Sequence, residues 1–125
     1  MKDTGEPEQQ WLFAELARPD WHKACSISDL QEGRGKTVEV AGRAIALFLL
    51  GGQVFAIDSR CTHAGAPLGS GWLDREKVVC PLHRWKFDIR TGHCHTNPSQ
   101  PVQSYRAETR EGEVWVRISG QEISA

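Results

Sequence analysis

No uninterrupted apolar run in this 125-residue chain is longer than the seven residues from Ala44 to Leu50. A helix crossing a bilayer needs roughly 20, so no membrane span is expected. No secretory leader is expected. The opening MKDTGEPEQQ is polar and acidic, without a basic start, an apolar stretch or a twin-arginine signature. A cytoplasmic location is the default expectation. Neither sign of charge is in excess: 15 Lys and Arg face 16 Asp and Glu, which gives nucleic acid or an anionic membrane no electrostatic hold. Four cysteines are too few for a disulfide scaffold in a chain of this length, and they agree with a reducing compartment. Internal repeats, a Ser-His-Asp set, a phosphate-binding glycine loop and a flavin signature are absent as well. The chain shows no substrate chemistry of its own.

What is present fits one soluble globular domain, large enough to bury a core without disulfides. Residues 1–20 read as an N-terminal extension. Its first eight residues are polar and tail-like, and a short helix over Gln9–Ala17 is stopped by Pro19. From Trp21 to about residue 120, short apolar runs alternate with turns. Cys25 falls in an expected first strand. Thr37–Ala41 is an expected strand, with Gly42-Arg43 as the turn before Ala44–Leu50. Gly51-Gly52 offers a two-residue hairpin connection, because glycine takes positive φ cheaply. Gln53–Ile57 is the return strand. Lys77–Cys80 and Trp85–Ile89 form a pair joined by Pro81–Arg84. Thr91-Gly92 turns the chain again. Val102–Glu108 and Glu113–Ile118 form a last hairpin over Arg110-Glu111-Gly112, with Val114, Val116 and Ile118 on the buried face. This spacing predicts an all-β antiparallel sandwich or barrel. The stretch of about 59–101 is rich in Gly, Pro, Cys and His and reads as a subdomain inserted between two halves of the β framework.

Two motifs stand out in that stretch: Cys61-Thr62-His63, and Cys80-Pro81-Leu82-His83. Each offers a thiolate and an imidazole from a tight loop stiffened by glycine or proline. Three explanations compete. The motifs could be coincidental, since a buried cysteine is usually a small hydrophobe. They could hold a structural zinc, although zinc sites favour paired C-x₂₋₄-C and H-x₃₋₅-H knuckles over two mixed ones. Or they could hold a [2Fe–2S] cluster, with two Cys on one iron and two His on the other.

The two motifs, with AIDSRCTHAGAPL (56–68) and VVCPLHRWKFDIRTGHC (78–94) around them, make the sequence resemble the Rieske iron–sulfur family from about Trp21 to Ile118. The resemblance implies an all-β base with a small inserted cluster-binding subdomain. It implies one [2Fe–2S] cluster per chain, with Cys61 and Cys80 on the inner iron and His63 and His83 on the outer iron near the surface. It also implies a soluble Rieske-type ferredoxin working between a flavin-dependent reductase and a terminal oxygenase. The alternative within the family is the small subunit of an assimilatory NAD(P)H-nitrite reductase, whose large subunit would then be the partner. A zinc-stabilised binding module is the reading outside it.

Respiratory members of the family carry an extra cysteine in each cluster loop and a serine shortly after the second histidine. Here Ala66 and Leu82 hold the cysteine positions, and Arg84-Trp85-Lys86 follows His83. With neither the bridge nor the hydroxyl, the reduced cluster has fewer donors, which points to the low-potential branch. Arg84 stands where many relatives have glycine. With Gly65, Ala66, Pro67 and Leu82 it is expected to rim a docking face. Pro67 and Pro98 are expected to shape loops, and Trp85 and Phe87 to be core or shielding residues. His93-Cys94-His95 looks metal-like, but the expectation is a buried Cys94 with two surface histidines. His22 has no expected role.

Overall fold

The computed structural model describes residues 20–60, 67–82 and 84–118. Ten strands run through them: β1 (Trp21–Ser26), β2 (Gly35–Val40), β3 (Arg43–Leu50), β4 (Gln53–Asp58), β5 (Trp72–Asp74), β6 (Lys77–Val79), β7 (Lys86–Asp88), β8 (Ser104–Tyr105), β9 (Ala107–Arg110) and β10 (Glu113–Arg117). Helix among the described residues is limited to two 3₁₀ turns, Ile27–Asp29 and Leu68–Ser70. The strands form three antiparallel sheets with orders β1-β10-β9, β2-β3-β4-β8 and β5-β6-β7. The first two are built from both ends of the chain, and the third is local to residues 72–88.

The middle sheet explains the run from Ala44 to Leu50. Strand residues alternate between faces, and here both faces are covered. Ile45, Leu47, Val54 and Ala56 pack into one core with Val114, Val116 and Ile118. Ala46, Phe48 and Ile57 pack into a second core with Leu68, Val78, Cys80, Phe87, Ile89 and Cys94. A strand buried on two sides has no polar face to keep, so its sequence is continuous rather than alternating. β10 is covered on one side only. Val114, Val116 and Ile118 are buried, while Trp115 and Arg117 face outward, as the alternation predicts.

The Gly51-Gly52 hairpin is present, with φ of 63° and 77°, and its amides donate to the Glu32 carboxylate. Three details differ from the sequence reading. The turn before β3 is Ala41-Gly42, with φ of 50° and 79°, and Arg43 already pairs with Val40. The last turn is Glu111-Gly112, with Arg110 still paired to Glu113. The expected strand over Val102–Glu108 is broken at Arg106. Tyr105 pairs with Ala56 of β4, and Ala107 pairs with Val116 of β10. The chain switches sheets there, a corner that packed sheets commonly use. β5 was not expected from the sequence. The helix expected over Gln9–Ala17 lies outside the described residues.

Candidate metal centre

Cys80 follows directly on β6. Its amide donates to the Trp85 carbonyl at 2.7 Å, and its carbonyl accepts the Arg84 amide at 3.0 Å. These two bonds close the base of the β6–β7 connection. Cys80 itself is buried, whereas Pro81, Leu82 and Arg84 are exposed. Arg84 takes the left-handed backbone region, φ 61°. Leu82 is 63% exposed. The turn thus buries a sulfur and presents an apolar and a cationic group to solvent.

The residues flanking the first motif are anchored to the middle sheet. Arg60 pairs with Pro67 in an isolated antiparallel bridge, and the Leu68 amide donates to the Ser59 carbonyl. Ser59 is buried at 1% exposure. Its hydroxyl shares a 2.7 Å hydrogen bond with Thr37 Oγ1 and accepts the Gly69 amide at 3.3 Å. Two glycines allow the close approach. A Cβ on Gly69 would lie 2.2 Å from Thr37 Oγ1, and one on Gly71 would lie 2.1 Å from the Val79 carbonyl oxygen, one residue before Cys80. The segment after the first motif is therefore pressed against the strand that leads into the second. The sequence showed these glycines, but it gave no sign of what they touch, nor of the Ser59–Thr37 link.

Of the four ligands expected from the sequence, the described residues include Cys80. Cys61, His63 and His83 lie outside them, as do Gly65 and Ala66. Cys80 suits an iron–sulfur group: its residue is withdrawn from water, and its backbone is fixed by two hydrogen bonds. Phe87 is buried in the same core, and Trp85 packs against it, as core residues do. Pro98 is exposed.

The remaining cysteines are placed differently. Cys94 is buried, pairs with Phe87, and accepts the Asn97 amide at Sγ at 3.3 Å. His93 and His95 on either side of it are exposed. Cys25 is half-buried on β1, and burial together with nearby Asp29 pushes its thiol above the ordinary range. On the sheet that carries Cys80, Lys86 bonds Asp74 at 3.1 Å and holds that exposed carboxyl below its usual value. Arg90 pairs with Glu76 at 3.1 Å.

A family model described as the Rieske [2Fe-2S] domain matches residues 20–106. The ferredoxin component of the naphthalene 1,2-dioxygenase system of Pseudomonas putida is 33% identical over 100 residues, covering 79% of this chain and 96% of that protein. A chain in the solved complex of reduced oxygenase and oxidised ferredoxin of carbazole 1,9a-dioxygenase superposes with a TM-score of 0.71 at 35% identity. It covers 78% of this chain and 93% of that one. A protein assigned as the small subunit of an NADH-dependent nitrite reductase from Mycobacterium tuberculosis superposes with a TM-score of 0.73 at 31% identity, covering 79% and 96%.

Proposed function

The chain belongs to the Rieske [2Fe-2S] domain family, and on that premise we propose that it is a Rieske-type ferredoxin, a one-electron carrier from a flavin-dependent reductase to a terminal oxygenase. The observation that carries this reading is coverage. The likeness takes in 96% of the ferredoxin component of a dioxygenase system, which supports reading this chain as a component of the same kind.

The proposed ligands are Cys61 and Cys80 on one iron and His63 and His83 on the other, one cluster per chain. When bound, such a cluster supplies a single reversible electron. The chain's own residues do the rest. Burial of Cys80 among Phe48, Leu68, Phe87 and Ile89 keeps its sulfur from water. Leu82 supplies an apolar contact and Arg84 a cationic one at the exposed turn. With Pro67, Gly65 and Ala66 they are the proposed rim of a small face. A carrier must bind, exchange and leave, which suits contacts below about 1,200 Å². Residues 21–120 form the proposed domain, with 59–101 as its cluster-binding part and 1–20 as an extension. No helix among the described residues is long and apolar enough to cross a membrane. The location proposed is the cytoplasm, with no nucleic-acid partner.

The nitrite reductase relative, with its TM-score of 0.73, supports a second reading, that of a small subunit held by a large reductase. Affinity purification of the tagged full chain from its own cells separates the two. A carrier is expected to elute alone at moderate salt and to retain an oxygenase component only at low salt. A stoichiometric large flavin- and sirohaem-containing subunit that survives the salt wash would replace the carrier reading.

A further inference from the structure

We propose that the cleft between the start of β2 and strand β5 docks an extended acidic segment of the electron-transfer partner, with Trp72 and Arg34 as its anchors. Naming that partner rests on the function proposed above. The cleft, about 570 Å³, is lined by residues 33–35 and 69–73. Both linings belong to sheet edges: β2 is the outer strand of the middle sheet, and β5 is the outer strand of the third. An edge strand turns one row of amides and carbonyls away from its neighbour, and an extended segment can add to such a row. Along β2 the row is covered at Thr37, where a Cβ on Gly69 would fall 2.7 Å from the Thr37 amide nitrogen. It is open at Gly33, where a Cβ would meet nothing within 4 Å.

Trp72 is 52% exposed. A single exposed apolar residue is ordinary, so the argument rests on what surrounds this one. Trp72 pairs with Val79, the residue before Cys80, and the cleft lining resumes at Gly69, just after Pro67 of the proposed rim. The cleft therefore continues the face proposed for electron exchange. Its charge is one-sided, although the whole chain is balanced. A smaller hollow beside it adds Lys36 and Asp29 to Arg34. Asp29 accepts the Ser26 amide at 3.1 Å, while Asp74 is paired with Lys86 and Glu76 with Arg90. Arg34 and Lys36 have no ion-pair partner among the described residues. The unmatched charge is positive, so the complement is a carboxylate, held on Arg34 by charge-assisted hydrogen bonds. An apolar side chain beside that carboxylate meets the indole. Trp and Arg are the residue types that most often dominate the energy of an interface.

The test uses the full chain as purified and the large component that it retains at low salt, itself purified. Affinity is measured by biolayer interferometry, and the footprint by amide hydrogen exchange. Trp72→Ala should weaken binding at least about tenfold, as removal of an interface anchor does, at low and high salt alike. Arg34→Glu should weaken it at least about tenfold at low salt and less at high salt, where charges are screened, and Arg34→Lys should recover part of the loss. Both variants should keep the wild-type visible spectrum and the wild-type rate of oxidation by ferricyanide, which needs no docking. Arg106→Glu, exposed where the chain passes from β8 to β9, should bind as wild type. The complex should protect amides at 33–35 and 72–74. The identity of the retained component tests the carrier reading, and the variants test the cleft. Wild-type affinity in both Trp72→Ala and Arg34→Glu would overturn the proposal. So would protection confined to residues 80–84, or a loss of binding that tracks a changed spectrum.

Discussion

At Arg84 a residue with a Cβ holds φ at 61°, a conformation that costs about 1–2 kcal/mol without glycine. The strained turn is held through the backbone, by the Arg84 amide's bond to the Cys80 carbonyl, and the guanidinium has no ion-pair partner among the described residues. That combination suits a charge kept for an external partner. Arg84→Glu retains the backbone cost and reverses the charge. Its visible spectrum should match wild type, while stopped-flow electron exchange with the physiological partner slows at low salt. The difference should shrink at high salt, where exposed charges are screened. Unchanged exchange at low salt would place the docking face elsewhere. Gly71 makes a contrasting case, because its φ of −76° suits any residue and only space is at issue. Gly71→Ala puts a methyl 2.1 Å from the Val79 carbonyl oxygen. It should cost about 1–3 kcal/mol, as overpacking does, read from urea unfolding.

Among the elements, β3 bears most of the core because each of its faces closes a different layer. Phe48 is fully buried on the side that meets Val78, Phe87 and Cys80. Phe48→Ala should cost about 3–5 kcal/mol in the midpoint of chemical unfolding, with loss of visible absorption before the base unfolds. Ser59→Ala removes a buried hydroxyl that serves both Thr37 and Gly69. Leaving those partners unsatisfied should cost about 1–3 kcal/mol. A change within about 0.3 kcal/mol would show that water replaces the hydroxyl. Local elements such as these were legible wherever the signal was local. The unbroken run of β3, the Gly51-Gly52 hairpin and the alternation of β10 could all be read from residue order. The break at Arg106 could not, because it depends on β4 and β10 claiming neighbouring residues from distant parts of the chain. β5 was hidden because Trp72–Asp74 is three residues long and sits in a glycine-rich stretch.

At the scale of the whole molecule, two sheets from the chain's ends support a third that carries Cys80. The two Cys-His motifs stand out in residue spacing, and their ligand role is the proposal, with Cys80 the member that lies among the described residues. The supporting contacts at Ser59, Gly69 and Gly71 were not legible there, since they depend on which strands come near. Leu82 stands exposed where a bridging cysteine would be needed, and no hydroxyl-bearing residue follows at 84–86. The midpoint potential should therefore lie near the low end of the Rieske range, about −150 mV. A value above about +150 mV would mean that other donors stabilise the reduced state. The central claim is the cluster itself, and joint determination of iron, acid-labile sulfide and zinc in the purified full chain reaches it most directly. About two irons and two labile sulfides per chain are expected. Zinc in place of iron, with no labile sulfide, would contradict the account.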